Sequence, residues 1–179
     1  MTAEAQISAA PAPTTTSRKI QPGALTLVHF VEKQLEGWTF ARSHWPLHIT
    51  LVPWFQTKDE EAVMRSLDRL AAELENMNLT VGGVEDVSGP GHRQANFIKN
   101  QQPVRELHKY LLATLERADI ELHESRFTGK EYRAHVTRHR ADGRHSTAGE
   151  HILLNDFHLV KMLDAKTCEV YQVFELIRR

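Results

Sequence analysis

Two tripeptides of the same form carry the side chains for acid–base chemistry in this chain: His48, Ile49, Thr50 and His135, Val136, Thr137. Imidazole, with an unperturbed pKa of ~6.5, both donates and accepts protons near neutrality. A threonine hydroxyl donates a hydrogen bond to an anionic oxygen. In a strand alternate residues share a face, so each histidine stands beside its own threonine while Ile49 or Val136 points the other way, into a core. Two such strands lining one cleft would flank a phosphorus centre with one base and one acid. The hydroxyls would hold its non-bridging oxygens, and no metal is needed for that chemistry.

Spacing alone does not mark the pair. With 11 histidines in 179 residues, chance supplies about one His-x-Ser/Thr. His123, Glu124, Ser125 and His145, Ser146, Thr147 also fit the pattern, but each has a polar middle residue in a loop, where alternation has no core to refer to. Requiring an apolar middle residue lowers the expectation to roughly half a copy. Two occur, one in each half of the chain, and each falls in a strand pattern.

The elements that would position these residues follow from periodicity. Residues 25–31 (LTLVHFV) are rich in β-branched and aromatic types and predict a strand. Residues 48–52 predict a second, fenced by Pro46 and Pro53. Val63, Leu67, Leu70, Leu74 and Met77 recur every three or four residues, with Thr57 and Glu60 as a capping box, which predicts a helix over residues 59–77. Residues 79–87 and 95–99 predict strands joined by the turn at 88–91, with Gly82 and Gly83 as a bulge. Pro103, placed as a first helical residue, opens a helix through Val104, Leu107, Leu111, Leu115 and Ala118. Residues 132–139, 152–162 and 169–177 predict the last strands. The fold class is α+β, each half repeating a similar recipe of strand and helix.

Composition bounds the rest. A 20.5 kDa chain with 41% hydrophobic and 25% charged residues is that of an ordinary globular domain, and no apolar run reaches the ~18 residues of a spanning helix. A net charge of −1 argues against a protein that coats nucleic acid through bulk electrostatics. The Ala-, Pro- and Thr-rich start reads as a disordered tail over residues 1–22, ahead of a single domain over 23–179. Cys168 is the sole cysteine, so the expected compartment is the reducing cytoplasm and the expected role a small buried hydrophobe.

Residues 126–145 hold six Arg or Lys against Glu131 and Asp142, a local excess of positive charge beside the second tripeptide. Trp54 and Phe55, with Trp45 and Tyr132, could form a wall for nucleobases, the alternative being packing between strand and helix. Trp54 and Tyr132 join the candidate substrate contacts. A zinc site at His135 and His139 lacks the glutamate of a zincin helix, and i and i+4 of a strand lie ~13 Å apart. No glycine-rich phosphate loop is present.

The tripeptides, within Pro46, Leu47, His48, Ile49, Thr50, Leu51, Val52 and Tyr132, Arg133, Ala134, His135, Val136, Thr137, resemble the signatures of the 2H phosphoesterase superfamily. That superfamily includes 2',5' RNA ligase-like RNA 2',3'-cyclic phosphodiesterases. Relatives often carry proline where this chain has Ala134, and an apolar residue where it has Arg138. The likeness spans about residues 24–177. It implies a bilobal, pseudo-symmetric fold of antiparallel sheets flanked by two main helices, with a cleft between the lobes. It also implies metal-independent hydrolysis of 2',3'-cyclic phosphate or related RNA-like or cyclic-nucleotide diesters. His48 and His135 would be the catalytic pair and Thr50 and Thr137 the phosphate ligands, with His135 activating water and His48 protonating the leaving oxygen. Arg140, five residues past the second histidine, would contact substrate. No cofactor is expected; the expected partner is an RNA end or nucleotide, with no membrane, bound by a monomer. The alternative is a non-catalytic module holding a nucleotide or RNA end in the same cleft.

Overall fold

The computed structural model describes residues 20–87, 93–125, 127–139 and 142–178. Nearly all of the expected tail, the turn at 88–91 and Arg140 lie outside the described residues. The chain forms β1 (Leu25–Phe30), β2 (Thr39–Ala41), β3 (His48–Gln56), α1 (Glu60–Ala71), β4 (Met77–Val87) and β5 (Arg93–Ile98). It continues as α2 (Gln101–Glu116), β6 (Glu121–Leu122), β7 (His135–Thr137), β8 (His151–Leu154), β9 (Asp156–Met162) and β10 (Thr167–Glu175). The strands are antiparallel in the order β2, β10, β9, β1, β3, β7, β5, β4, β8, with β6 beside β3. The α+β class is therefore the observed one, and β3 and β7, the two tripeptide strands, meet in the middle of the sheet.

Both helices cover one face. Ile49, Leu51 and Val136 are buried together with Val63 and Leu67 of α1 and Val104, Leu107 and Leu111 of α2. A second cluster, Val28, Phe30, Phe40, Val160, Cys168 and Val170, has Trp45 and Trp54 packed against it. Within it, Val28 and Phe30 lie across from Thr50 and His48, so it occupies the face that the helices leave bare. Cys168 is fully buried in it, the small hydrophobe that was expected.

Several elements differ from the periodicity reading, each for a local reason. Pro53 does not end its strand: β3 continues to Gln56. The β1–β3 register slips between Leu27–Val52 and Leu25–Phe55, and in such a bulge the missing proline N–H costs no ladder bond. The first helix stops at Ala71 rather than 77, because Glu73 and Leu74 close tight turns onto Leu70 and Ala71 and Met77 enters β4. Its cap is Asp59, whose carboxylate accepts from Ala62 N (2.8 Å), while Thr57 instead takes the Asp59 N–H. Pro103 is the third helical residue, still within the turn whose N–H groups have no helical partner.

The strand expected over 132–139 is cut to three residues. The Gln101 side chain takes the Ala134 N–H (2.8 Å), and Ala134 O accepts from both that side chain (2.9 Å) and Ile98 N (3.0 Å), so the ladder to β5 ends there. The run 152–162 divides at Asn155, where the chain leaves β4 for β1 and β10. Gly82 sits at the expected bulge between Val81 and Val84. A Cβ there would meet the Phe97 carbonyl oxygen at 2.5 Å.

Candidate active site

β3 and β7 pair antiparallel at Ile49–Val136. One residue to either side, that register sets His48 across from Thr137 and Thr50 across from His135. With Ile49 and Val136 buried under the helices, alternation turns both imidazoles and both hydroxyls to the opposite face. The structure thus assembles the four candidates into one square, while His123 lies outside any strand and His145 in an exposed loop.

The strands beyond frame the two histidines alike. Phe30 of β1 lies across from His48, and Phe97 of β5 across from His135. Ring centroids are 6.1 Å apart in the first pair and 5.3 Å in the second. His48 Nδ1 donates to the Pro46 carbonyl and His135 Nδ1 to the Arg133 carbonyl, each at 2.8 Å. A carbonyl only accepts, so the proton sits on Nδ1 and each Nε2 keeps its lone pair. His145 makes the same bond to Gly143 (2.7 Å); the bond is local chemistry, and what distinguishes His48 and His135 is their place in the sheet.

Burial dominates the electrostatics. It pushes the His48 pKa down to about 4, with the Pro46 carbonyl opposing and the positive forms of His139 and His135 adding to the fall. His135 is lowered by burial and by Arg133, against the pull of the Arg133 carbonyl. Both imidazoles are consequently neutral at pH 7 in the ligand-free site.

Tyr132 is not a substrate wall. Only 4% exposed, it lies flat on buried His108 with centroids 3.9 Å apart, and its hydroxyl donates to the Thr50 carbonyl (3.0 Å). His108 donates from Nδ1 to the Leu51 carbonyl (2.6 Å) and accepts from Gly129 N at Nε2 (3.0 Å). The pair braces β3 from behind. His108 was legible only as an apolar-face position of α2, since Leu107 and Leu111 flank it on the same stripe.

The two flanks of the square differ in chemistry. Beside His48, the Trp45 ring lies 4.7 Å from the imidazole and meets half-buried Trp54 edge-on at 5.9 Å. Beside His135, the Arg133 guanidinium covers Phe97 at 3.8 Å and pairs with Glu85 (3.0 Å). Arg144 pairs with Asp142 and donates to the Trp45 carbonyl (3.2 Å), tying the loop after β7 to the residues before β3. The basic run is thus partly neutralised by Glu85 and Asp142. Among the described residues no three His, Cys, Asp or Glu side chains are grouped to hold a metal.

A family model described as the 2'-5' RNA ligase superfamily matches residues 31–153, a span that contains both tripeptides. The chain belongs to that superfamily. Among solved structures it is similar to a phosphoesterase, at 12% identity and a TM-score of 0.58, covering 87% of this chain and 99% of that one. E. coli LigT complexed with 3'-AMP matches at 13% identity and 0.58, over 87% and 99%. The Thermus thermophilus protein TT0787 matches at 15% and 0.54, over 86% and 97%. No curated protein sequence matches significantly.

Proposed function

We propose that this chain is a metal-independent phosphodiesterase that opens a 2',3'-cyclic phosphate or a related RNA-like diester by two-histidine acid–base catalysis. The observation that carries this reading is the square itself: two imidazoles, each protonated at Nδ1 and so with a lone pair at Nε2, and two hydroxyls on one face. One Nε2 takes a proton from water as its oxygen bonds to phosphorus. The other imidazole, protonated, gives its proton to the 2' or 3' oxygen as that P–O bond breaks, while Thr50 and Thr137 donate to the non-bridging oxygens. The products are a terminal phosphomonoester and a free hydroxyl. A binding site alone would be served by arginines, whose charge is permanent, and needs no pair of groups able to exchange protons. That E. coli LigT, which shares this fold, forms a complex with 3'-AMP supports a nucleotide as the kind of ligand.

The ligand-free field favours the reverse of the division of labour that the resemblance implies. Burial resists a charge on His48 most, so a single proton shared by the pair rests on His135, ready for the leaving oxygen, and His48 stays neutral to take one from water. The test is turnover of nucleoside 2',3'-cyclic monophosphates, and of an RNA ending in the cyclic phosphate, by protein treated with EDTA. A p-nitrophenyl diester, whose leaving group needs no acid, should restore much of the activity of H135A and little of that of H48A. Tight nucleotide binding without product would leave the non-catalytic module instead.

A further inference from the structure

The aromatic flank does not stop at Trp45. Trp45 meets Phe40 edge-on at 4.8 Å, and Phe40 carries Trp38 stacked on its far side, centroids 5.1 Å apart and planes within 22°. Three ring-to-ring steps of about 5 Å therefore lead from His48 to Trp38. Trp38 directly precedes the edge strand β2, its ring stacked on that of Phe40, and Phe40 belongs to the cluster beneath His48. Trp38 is 40% exposed although it is fixed on both sides: Trp38 N donates to Leu35 O (3.1 Å) and its carbonyl accepts from Val170 N (2.9 Å). A large indole held rigid with one open face, continuous with a catalytic imidazole, is a stacking platform.

A cation accompanies it. Arg42, one residue past β2, is anchored by its N–H to the Lys166 carbonyl and has no ion-pair partner among the described residues. Two residues past Phe40 and bonded to the strand that pairs with β2, it continues the edge that carries the platform. Aromatic faces interleaved with unneutralised cations are the pattern by which single-stranded nucleic acid is held without base readout.

We propose that Trp38 and Arg42 form a subsite for the nucleotide preceding the reacting end, Trp38 stacking its base and Arg42 meeting the phosphate that joins the two nucleotides. The substrate is then a single-stranded RNA end of at least two nucleotides rather than a free cyclic mononucleotide. This rests on the phosphodiesterase reading for the reacting phosphate, but the subsite is tested separately from it.

The experiment compares kcat/KM of the full chain, W38A and R42A on a dinucleotide ending in a 2',3'-cyclic phosphate with that on the matching nucleoside 2',3'-cyclic monophosphate. Wild type should prefer the dinucleotide roughly tenfold or more, and W38A should bring the ratio towards one. R42A should lower the ratio and weaken its dependence on salt. A wild-type ratio near one, or a ratio untouched in W38A, overturns the proposal. If no substrate turns over, the phosphodiesterase reading fails, and titration with the dinucleotide 3'-phosphate against the mononucleotide decides the subsite by the same ratio. A dimer in sedimentation that W38A dissociates would make the platform an interface between copies and overturn the subsite as well.

Discussion

Ile49 lies across from Val136 at the β3–β7 junction, both side chains buried beneath the helices. Because strand alternation has a period of two, a slip of one residue would send His135 and Thr137 into the core and Val136 into the site. The apolar middle residue of each tripeptide is thus as necessary to the square as the polar ones. Replacing either hydroxyl while keeping the β-branched shape separates their roles: T50V and T137V should each keep the wild-type Tm within about 1 °C and lose roughly 10- to 100-fold in kcat/KM, the worth of a hydrogen bond to a charged oxygen. T50S and T137S should recover most of it. Steady-state kinetics beside circular dichroism melting checks both halves of this expectation.

Gly82 connects a backbone contact to the site. A methyl group there meets the Phe97 carbonyl at 2.5 Å, and Phe97 lies across from His135. A carbonyl in a sheet does not swing aside, so G82A must push β5. We expect a loss of about 1–3 kcal/mol in urea unfolding, typical of overpacking, together with a fall in kcat that the neighbouring G83A, with open space at its Cβ, does not show.

Acid should unfold this protein earlier than its carboxylates alone would. Above pH ~6.5 His48 is neutral in both folded and unfolded chains and contributes nothing to the pH dependence. As pH falls from there towards about 4, the unfolded chain binds a proton that the folded site resists, so stability declines, and the penalty is complete below the folded pKa. His108, His135, His139 and His158 are lowered as well and act with the same sign. Melting between pH 7.5 and pH 5 should therefore cost wild type several degrees more than H48Q. Parallel curves for the two would contradict the desolvated state of His48.

Much of this was legible in the sequence because alternation and burial act locally. Ile49 and Val136 announced which side of each strand was core, and that is enough to place His48, Thr50, His135 and Thr137 together once the two strands pair. Tyr132 misled because an aromatic residue beside a motif has the same composition whether its ring faces substrate or lies on His108; only the path of α2 decides that. Pro53 misled because its cost to a strand disappears at a bulge, and the bulge depends on how β1 aligns with β3. Trp38 and Arg42 gave no signal at all, since β2 is three residues long and gains its meaning from β10 beside it. Arg140 falls outside the described residues.

The claim that His48 and His135 act as one acid–base unit is tested most directly by kcat/KM of H48A, H135A and the double variant on an RNA 2',3'-cyclic phosphate, with folding verified for each. Two groups serving one proton-transfer cycle should each cost about 10²- to 10⁴-fold alone, and the double variant should lose little more than the worse single. Wild-type-like turnover in either single variant, or losses that simply multiply in the double, would contradict it.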